Sequence, residues 1–230
     1  MNVRRRSLVA VISILAGLFT IFGNGSAFAS ELNIPCGSGT YDIVGGVATR
    51  GSSCTGVVNL AASGLPVINA IGNAAFQESQ IASILIPSTV TTIGDSAFAY
   101  TRISSIVIPN SVISIGTQGF FNSQITSIDI PNSVTSLGSG VFTHTMNLET
   151  VRLGSGITRI SDDLFSASGI QRIIIPSTVT EIGTSAFEDC EHLESVTFAS
   201  DSHLTTIGDA AFAGNISLMA IDIPESVEVI

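Results

Sequence analysis

The chain has 230 residues and is both apolar and acidic, with 45% hydrophobic residues, only 11% charged residues and a formal net charge of −10 at pH 7. Charged residues make up about 25% of an average soluble domain, and a chain this apolar is expected to fold compactly rather than remain disordered. The acidic balance argues against nucleic acid or an anionic lipid surface as the main partner.

The first 29 residues have the pattern of an export signal. Arg4, Arg5 and Arg6 precede the apolar run Leu8–Phe22, and Ala27-Phe28-Ala29 offers a small-residue cleavage site before the next residue. The alternative is an uncleaved membrane anchor, but the run is shorter than the roughly 20 residues of a typical span. We therefore predict a signal peptide over residues 1–29, a secreted, extracellular or cell-surface protein, and no membrane span after the signal is removed.

Residues 30–56 do not share the pattern of the rest of the chain. Tyr41–Val44 and Val47–Thr49 read as two strands joined by a Gly-Gly turn. Cys36 and Cys54 flank this hairpin, and two such cysteines in an exported protein are expected to form a disulfide. A metal site is the competing interpretation, but no further ligands lie nearby. We predict a small disulfide-bonded cap with a β-hairpin.

The remainder, residues 57–230, is organised by a repeat of about 22 residues. The stretch Ile86–Phe98, with the sequence IPSTVTTIGDSAF, returns three more times in recognisable form. A fixed period of this length is typical of a solenoid, in which each coil buries the apolar side of its neighbour. Seven phenylalanines mark the register, at spacings of 22, 22, 22, 23, 22 and 25 residues: Phe76, Phe98, Phe120, Phe142, Phe165, Phe187 and Phe212.

Each repeat begins with a short strand. Ile84 and Ile86 are two residues apart, with Leu85 on the opposite face, and Pro87 ends the strand because it cannot donate to a ladder. Equivalent isoleucines and valines should therefore stack from coil to coil. The predicted stack is Ile84, Ile106, Ile128, Val151, Ile173, Val196 and Ile221.

The rest of the repeat returns and turns a corner. Val90 and Ile93 are expected to point inward, and Gly94 to permit a turn that other residues would strain. We expect Asp95–Phe98 to form a tight corner, with a single helical turn as one possible form. Three residues beyond each phenylalanine stands a small side chain that can hydrogen-bond to the turn backbone: Ser79, Thr101, Ser123, Thr145, Ser168, Cys190 and Asn215.

The repeat pattern L-x-x-I-x-I-P-x-x-V-x-x-I-G-x-x-A-F-x-x-C resembles that of BspA-like leucine-rich repeats, a family of bacterial secreted and cell-surface proteins. The resemblance covers roughly residues 57–230 and implies about seven units of a mainly β, right-handed leucine-rich-repeat-like coil with short strands and tight corners. Gly154 replaces the proline of one unit, Ser161 replaces a glycine, and two residues are inserted between Phe198 and Leu204. None of these departures disturbs the phenylalanine register.

The last unit stops early. Residues 223–230 end where the next glycine and Ala-Phe pair should follow. We therefore expect the solenoid to be incomplete at its C-terminal end, and additional C-terminal domains could follow in a longer protein.

No motif predicts catalysis or a cofactor. The sequence carries no nucleophile elbow, phosphate-binding loop or zinc-protease motif, so we expect a protein that is not an enzyme and binds no cofactor. Cys190-Glu191-His192 supplies two metal ligands where a structural zinc site needs four. The carboxylates around it read as a solvated turn, since they lack the spacing of a calcium loop: Glu188, Asp189, Glu191 and Glu194.

What remains is the outward side of the strand ladder, an apolar and basic stripe on an acidic molecule. Extended ladders of this kind are the surfaces with which solenoids bind partners. The predicted binding face comprises Leu85, Val107, Asp129, Arg152, Arg172 and Ile174. Two function classes stay open: an adhesin-like module that binds an extracellular protein or glycan, and a passive spacer that presents a downstream domain.

Overall fold

The computed structural model describes residues 32–230, so the predicted signal peptide lies outside the described residues. Over this range the chain forms a β-solenoid of about seven turns, built from sixteen short strands and no helix. The predicted mainly β solenoid is therefore confirmed. No helix in residues 32–230 is long and apolar enough to cross a membrane.

The N-terminal segment is a three-stranded antiparallel sheet. Strands β1 (Leu32–Cys36), β2 (Gly39–Val44) and β3 (Val47–Thr49) pair in sequence order. Gly45 and Gly46 have φ of 58° and 80°, and positive φ at both central residues is what a two-residue type I′ hairpin loop requires. The predicted hairpin is present, and β1 adds a strand that the sequence pattern does not indicate.

This sheet is fixed to the solenoid in two ways. The predicted Cys36–Cys54 disulfide is confirmed, with both cysteines buried and their Cα atoms 5.1 Å apart. β3 pairs in parallel with the first short solenoid strand, Val47 lying opposite Ala70. The segment therefore covers the apolar end of the first coil, as a solenoid cap must.

Two rows of parallel strands run along the solenoid. We call the first ladder the row formed by the longer strands: β4 (Thr55–Asn59), β6 (Gln80–Leu85), β9 (Ser127–Asp129), β11 (Thr150–Arg152), β13 (Arg172–Ile175) and β15 (Ser195–Phe198). We call the second ladder the row of two-residue strands: β5 (Ala70–Ile71), β7 (Thr92–Ile93), β8 (Ser114–Ile115), β10 (Ser136–Leu137), β12 (Arg159–Ile160), β14 (Glu181–Ile182) and β16 (Thr206–Ile207).

The predicted stack of inward isoleucines and valines holds in part. Val151 lies opposite Ile128, and Ile173 opposite Val196, as the repeat register requires. Ile106 differs in one respect: residues 105–108 form no strand, although the half-buried side chain of Ile106 packs against the core as that of Val151 does. The first ladder is therefore interrupted in the third coil.

A glycine follows every strand of the second ladder except β12, and it is needed for a different reason from the one predicted. Gly94 does not have a positive φ. Its amide donates to the carbonyl of Ile71 at 2.8 Å, and a Cβ at Gly94 would lie only 2.6 Å from the main-chain nitrogen of Asn73. Glycine is required because adjacent coils approach so closely here.

The core contains one continuous stack of the seven register phenylalanines. Neighbouring rings are 5.2–5.7 Å apart between centroids and within 3–18° of parallel. These distances exceed the roughly 4.8 Å spacing of strands, so the rings are offset as aromatic pairs prefer. Tyr41 of the N-terminal sheet extends the stack, with its ring 6.0 Å from that of Phe76.

The corner around each phenylalanine is not helical, which corrects that part of the expectation. Ser96 and Tyr100 have positive φ, 52° and 59°. The amide of Ala97 bonds within its own corner, to Gly94, whereas that of Phe98 donates to the next coil at 2.8 Å. Every second amide of the corner therefore donates to the neighbouring coil. In an α-helix, by contrast, the amides donate to carbonyls of the same segment. All seven coils repeat the two positive φ values, at the positions two residues before and two residues after the register phenylalanine.

Candidate binding face

The ladder face is the outward side of the first ladder and of the chain segment that interrupts it. Alternation along the strand places Ile173 and Ile175 in the core and Ile174 in solvent. The three apolar members of the predicted face are well exposed: Leu85 at 52%, Val107 at 79% and Ile174 at 67%.

The interruption leaves main-chain groups without partners in the middle of this face. On the N-terminal side of the interruption, the carbonyl of Ser104 still accepts a hydrogen bond of 3.1 Å from the amide of Thr126 in the next coil. The peptide groups of residues 105–108 make no hydrogen bond to either neighbouring coil within residues 32–230. The segment is therefore not held by ladder hydrogen bonds on either side.

A cleft of about 490 Å³ opens beside the interruption. Val107, Asp129 and Arg152 line it at the surface, and Ile106 and Ile128 lie deeper. An adjoining cleft of about 480 Å³ shares those three surface residues and extends past the proline corners. The structure therefore brings three of the six predicted face residues to one place, while the other three lie on flanking coils: Leu85, Arg172 and Ile174.

Carboxylates on neighbouring coils neutralise most of the positive charge predicted for this face. Arg152 Nε lies 3.4 Å from Asp129 Oδ1, and Arg172 Nη2 lies 3.1 Å from Glu194 Oε2. Both pairs join neighbouring coils and are exposed, so each contributes only about 0–1 kcal/mol to stability. Glu194, which the sequence pattern places in a solvated acidic turn, thus belongs to the ladder face. Its pairing with Arg172 depends on the register between coils, which the local sequence does not reveal.

The cysteine outside the disulfide is structural. Cys190 is fully buried, its sulfur lying 3.0 Å from the carbonyl oxygen of Phe165 and 3.6 Å from Ser168 Oγ. Burial raises the pKa of its thiol to about 11, so the reactive thiolate is suppressed. Among residues 32–230, no group of three or more His, Cys, Asp or Glu side chains could hold a metal ion.

Coils of about 22 residues, each with a short strand, fall within the repeat length of roughly 20–29 residues that is typical of leucine-rich repeat solenoids. The family model for the BspA type leucine rich repeat region matches six copies, over residues 69–194 and 114–230. The chain belongs to this family. No curated protein sequence matches it significantly.

Solved structures with a similar fold come from several bacteria. The pneumococcal vaccine antigen PcpA is similar at 15% identity and a TM-score of 0.57, over 88% of this chain and 72% of that one. A leucine-rich repeat protein from Bacteroides ovatus ATCC 8483 is 21% identical, with a TM-score of 0.45 over 86% and 75% of the two chains. The leucine-rich repeat protein of T. pallidum is 21% identical, with a TM-score of 0.49 over 81% and 91%.

Proposed function

We propose that this protein is a secreted or cell-surface binding module that recognises an extracellular protein through the ladder face. The observation that carries the proposal is the exposed segment around Val107, whose peptide groups have no coil-to-coil partner within the described residues. A polypeptide supplies both main-chain hydrogen-bonding groups for this segment and apolar side chains for the adjacent cleft, so it fits the site better than a glycan does. The exposed apolar side chains beside it supply contact area.

Export is supported by two independent features. The sequence of residues 1–29 has the charged start, apolar run and small-residue site of a signal peptide. Structural disulfides such as Cys36–Cys54 are typical of proteins in oxidising compartments. Together they favour an extracellular or surface location.

A passive spacer is the second candidate. The intercoil ion pairs of Arg152 and Arg172 favour it, because they occupy charged groups that a partner could otherwise use. On this alternative, the ladder face stabilises a stack of coils that holds another domain away from the cell.

The test uses a displayed library of random linear peptides, selected on the chain lacking residues 1–29. We expect selected peptides to lose binding to Val107→Asp, Leu85→Asp and Ile174→Asp. Binding should survive Thr92→Asp, which changes an exposed position on the second ladder. Arg152→Glu should weaken binding, because it places two acidic side chains beside the cleft.

Amide hydrogen exchange provides the second readout. The amides of residues 105–108 should exchange fast in the free protein and become protected in the complex. If no peptide is retained, or if peptides bind while these amides stay unprotected, the ladder-face proposal is wrong. The first of these outcomes favours the spacer.

A further inference from the structure

A third cleft, of about 500 Å³, lies where the phenylalanine corners lead into the first ladder. It shares no lining residue with the two clefts of the ladder face. We call it the corner cleft. Its lining is a single aromatic ring among polar side chains: Gln80, Tyr100, Thr101, Arg102, Asn122 and Gln124.

Arg102 is distinguished by its lack of a carboxylate partner. Each of the other four arginines within residues 32–230 forms an ion pair: Arg50 with Asp42, Arg152 with Asp129, Arg159 with Asp162 and Glu181, and Arg172 with Glu194. Over the same range Arg102 makes neither an ion pair nor a side-chain hydrogen bond, although the protein carries 18 acidic residues. A guanidinium group presents a planar fork of donors that matches a carboxylate bidentately.

Tyr100 supplies a flat and oriented surface next to it. Its side chain is exposed (46% for the residue), yet its ring is held by Phe121, with centroids 5.2 Å apart and planes at 61°. Phe121 in turn contacts the ring of His144 edge-on, at 5.4 Å and 88°. The negative potential over an aromatic face attracts polarised C–H groups, such as those on one face of a sugar ring.

The amides of the cleft are positioned to bind hydroxyl groups. Gln124 Oε1 accepts a hydrogen bond of 2.8 Å from Asn147 Nδ2, which leaves the Nε2 group of Gln124 as a donor. Gln80 Nε2 donates to the carbonyl of Glu78 at 3.3 Å, which leaves Oε1 of Gln80 as an acceptor. Side-chain amides that present both kinds of group suit the alternating donors and acceptors of a polyol.

We propose that the corner cleft binds a carboxylate-bearing sugar residue of an acidic glycan. The carboxylate would lie on Arg102, the C–H face of the ring on Tyr100, and the hydroxyl groups on the amides of Gln80, Asn122 and Gln124. This site is independent of the ladder face, so either assignment can fail without the other.

The experiment uses a galacturonic acid trimer as the probe and follows tyrosine fluorescence of the chain lacking residues 1–29. The protein has no tryptophan and two tyrosines, of which Tyr41 is buried and Tyr100 is exposed. A bound sugar should therefore change the emission of Tyr100 selectively. The titration is done at about 0.15 M salt, where long-range repulsion from the acidic protein is screened.

Substitutions separate the two halves of the site. Arg102→Gln should weaken binding of the trimer roughly tenfold to a hundredfold, because a charge-assisted hydrogen bond is lost. Tyr100→Ala should abolish the saturable response, and calorimetry should then detect no binding. Arg159→Gln, which removes an arginine on the second ladder, is the matched control and should bind as the unaltered chain does.

Ligand variants test the chemistry itself. The methyl-esterified trimer keeps the ring and hydroxyls but loses the charge, and should bind as weakly as the acid binds to Arg102→Gln. A neutral galactose trimer should also bind weakly. Absence of binding of the acid at millimolar concentration, equal binding of the ester or of a sulfated trimer, or an unaffected Arg102→Gln variant would each overturn the assignment.

Discussion

The hydroxyl of Ser161 donates a hydrogen bond of 2.5 Å to the main-chain carbonyl of Leu137. In the next coil this bond is made by a glycine amide, from Gly183 to Ile160 at 2.8 Å. A side chain at the glycine position would overlap the main chain of the preceding coil: at Gly138, a Cβ would lie only 2.3 Å from the main-chain nitrogen of Thr117. The second ladder therefore breaks between β10 and β12, and a side-chain bond replaces the main-chain bond at the break.

Replacement of Ser161 tests whether its hydroxyl stabilises the fold in place of the missing main-chain hydrogen bond. Ser161→Ala leaves the buried carbonyl of Leu137 without its donor, so we expect the free energy of unfolding to fall by about 1–3 kcal/mol. Ser161→Gly should cost less, because the coils can then approach and the amide can make the bond. Urea denaturation gives both values. Ser155→Ala is the control, since its hydrogen bond to Asn132 uses the main-chain amide; an equal loss in the alanine and glycine variants would contradict this account.

The corners offer a stabilising change. Ser96 adopts a φ of 52°, a conformation that costs an L-residue roughly 1–2 kcal/mol, whereas glycine adopts it freely. Because glycine also loses more entropy on folding, we expect Ser96→Gly to raise the free energy of unfolding by up to about 1 kcal/mol.

Ala97→Gly is the matched control for this corner. Ala97 is buried and its φ is not positive, so the same replacement one residue along should destabilise the protein. Thermal unfolding distinguishes the two variants. If Ser96→Gly destabilised the protein as much as Ala97→Gly does, backbone strain at the corner would be ruled out.

The sequence predicts the features of this fold that are periodic. The phenylalanine register and the inward positions follow from spacing alone, because every coil must bury the same face. The register phenylalanines from Phe76 to Phe187 are all fully buried, whereas the inward position Ile106 is only half-buried. The Cys36–Cys54 disulfide was also predictable, since only these two cysteines flank the non-repeating segment.

Features that depend on individual coils could not be predicted. Ile106 and Ile108 have the same alternation as the equivalent residues of paired strands, so nothing in the pattern indicates the interruption of the first ladder. The positive φ of Tyr100 is equally hidden, because no glycine marks it. Tyr41 lies outside the repeat, so its place at the end of the phenylalanine stack depends on tertiary packing.

The phenylalanine stack should dominate stability. Phe120 is fully buried between Phe98 and Phe142, with centroids 5.3 and 5.7 Å away. We expect Phe120→Ala to reduce the free energy of unfolding by about 3–5 kcal/mol, through lost burial and an unfilled cavity. The adjacent Phe121 is only half-buried, so Phe121→Ala should cost clearly less. Comparable losses in chemical denaturation would show that the stack has no special weight.

The disulfide should add stability to the N-terminal end. Cys36 and Cys54 are 18 positions apart, and a loop of this length corresponds to roughly 3 kcal/mol in the chain-entropy treatment. The double replacement of both cysteines by alanine should lower the free energy of unfolding by about that amount. Non-reducing mass mapping of the unaltered chain checks the pairing, and a link from Cys190 to either partner would refute it.

Cys190 should make stability depend on pH in the alkaline range. Burial raises the pKa of its thiol from 9.0 to about 11, against the opposing effect of a hydrogen bond with Ser168. Between these values the unfolded chain releases the proton while the folded chain keeps it. The stabilisation is therefore complete below about pH 9 and is lost as the pH rises toward 11, at about 1.4 kcal/mol per pH unit.

Cys190→Ser isolates this effect, because the equivalent positions of other coils carry serine, as at Ser123 and Ser168. Tyr41, whose pKa burial also raises, is present in both proteins and cancels from the difference. We expect the free energy of unfolding of the unaltered chain to fall, relative to the variant, by about 1 kcal/mol between about pH 8 and pH 10. Urea denaturation at the two pH values measures it. Parallel pH profiles, or fast reaction of the native thiol with a disulfide reagent at about pH 8, would show that Cys190 is accessible and not desolvated.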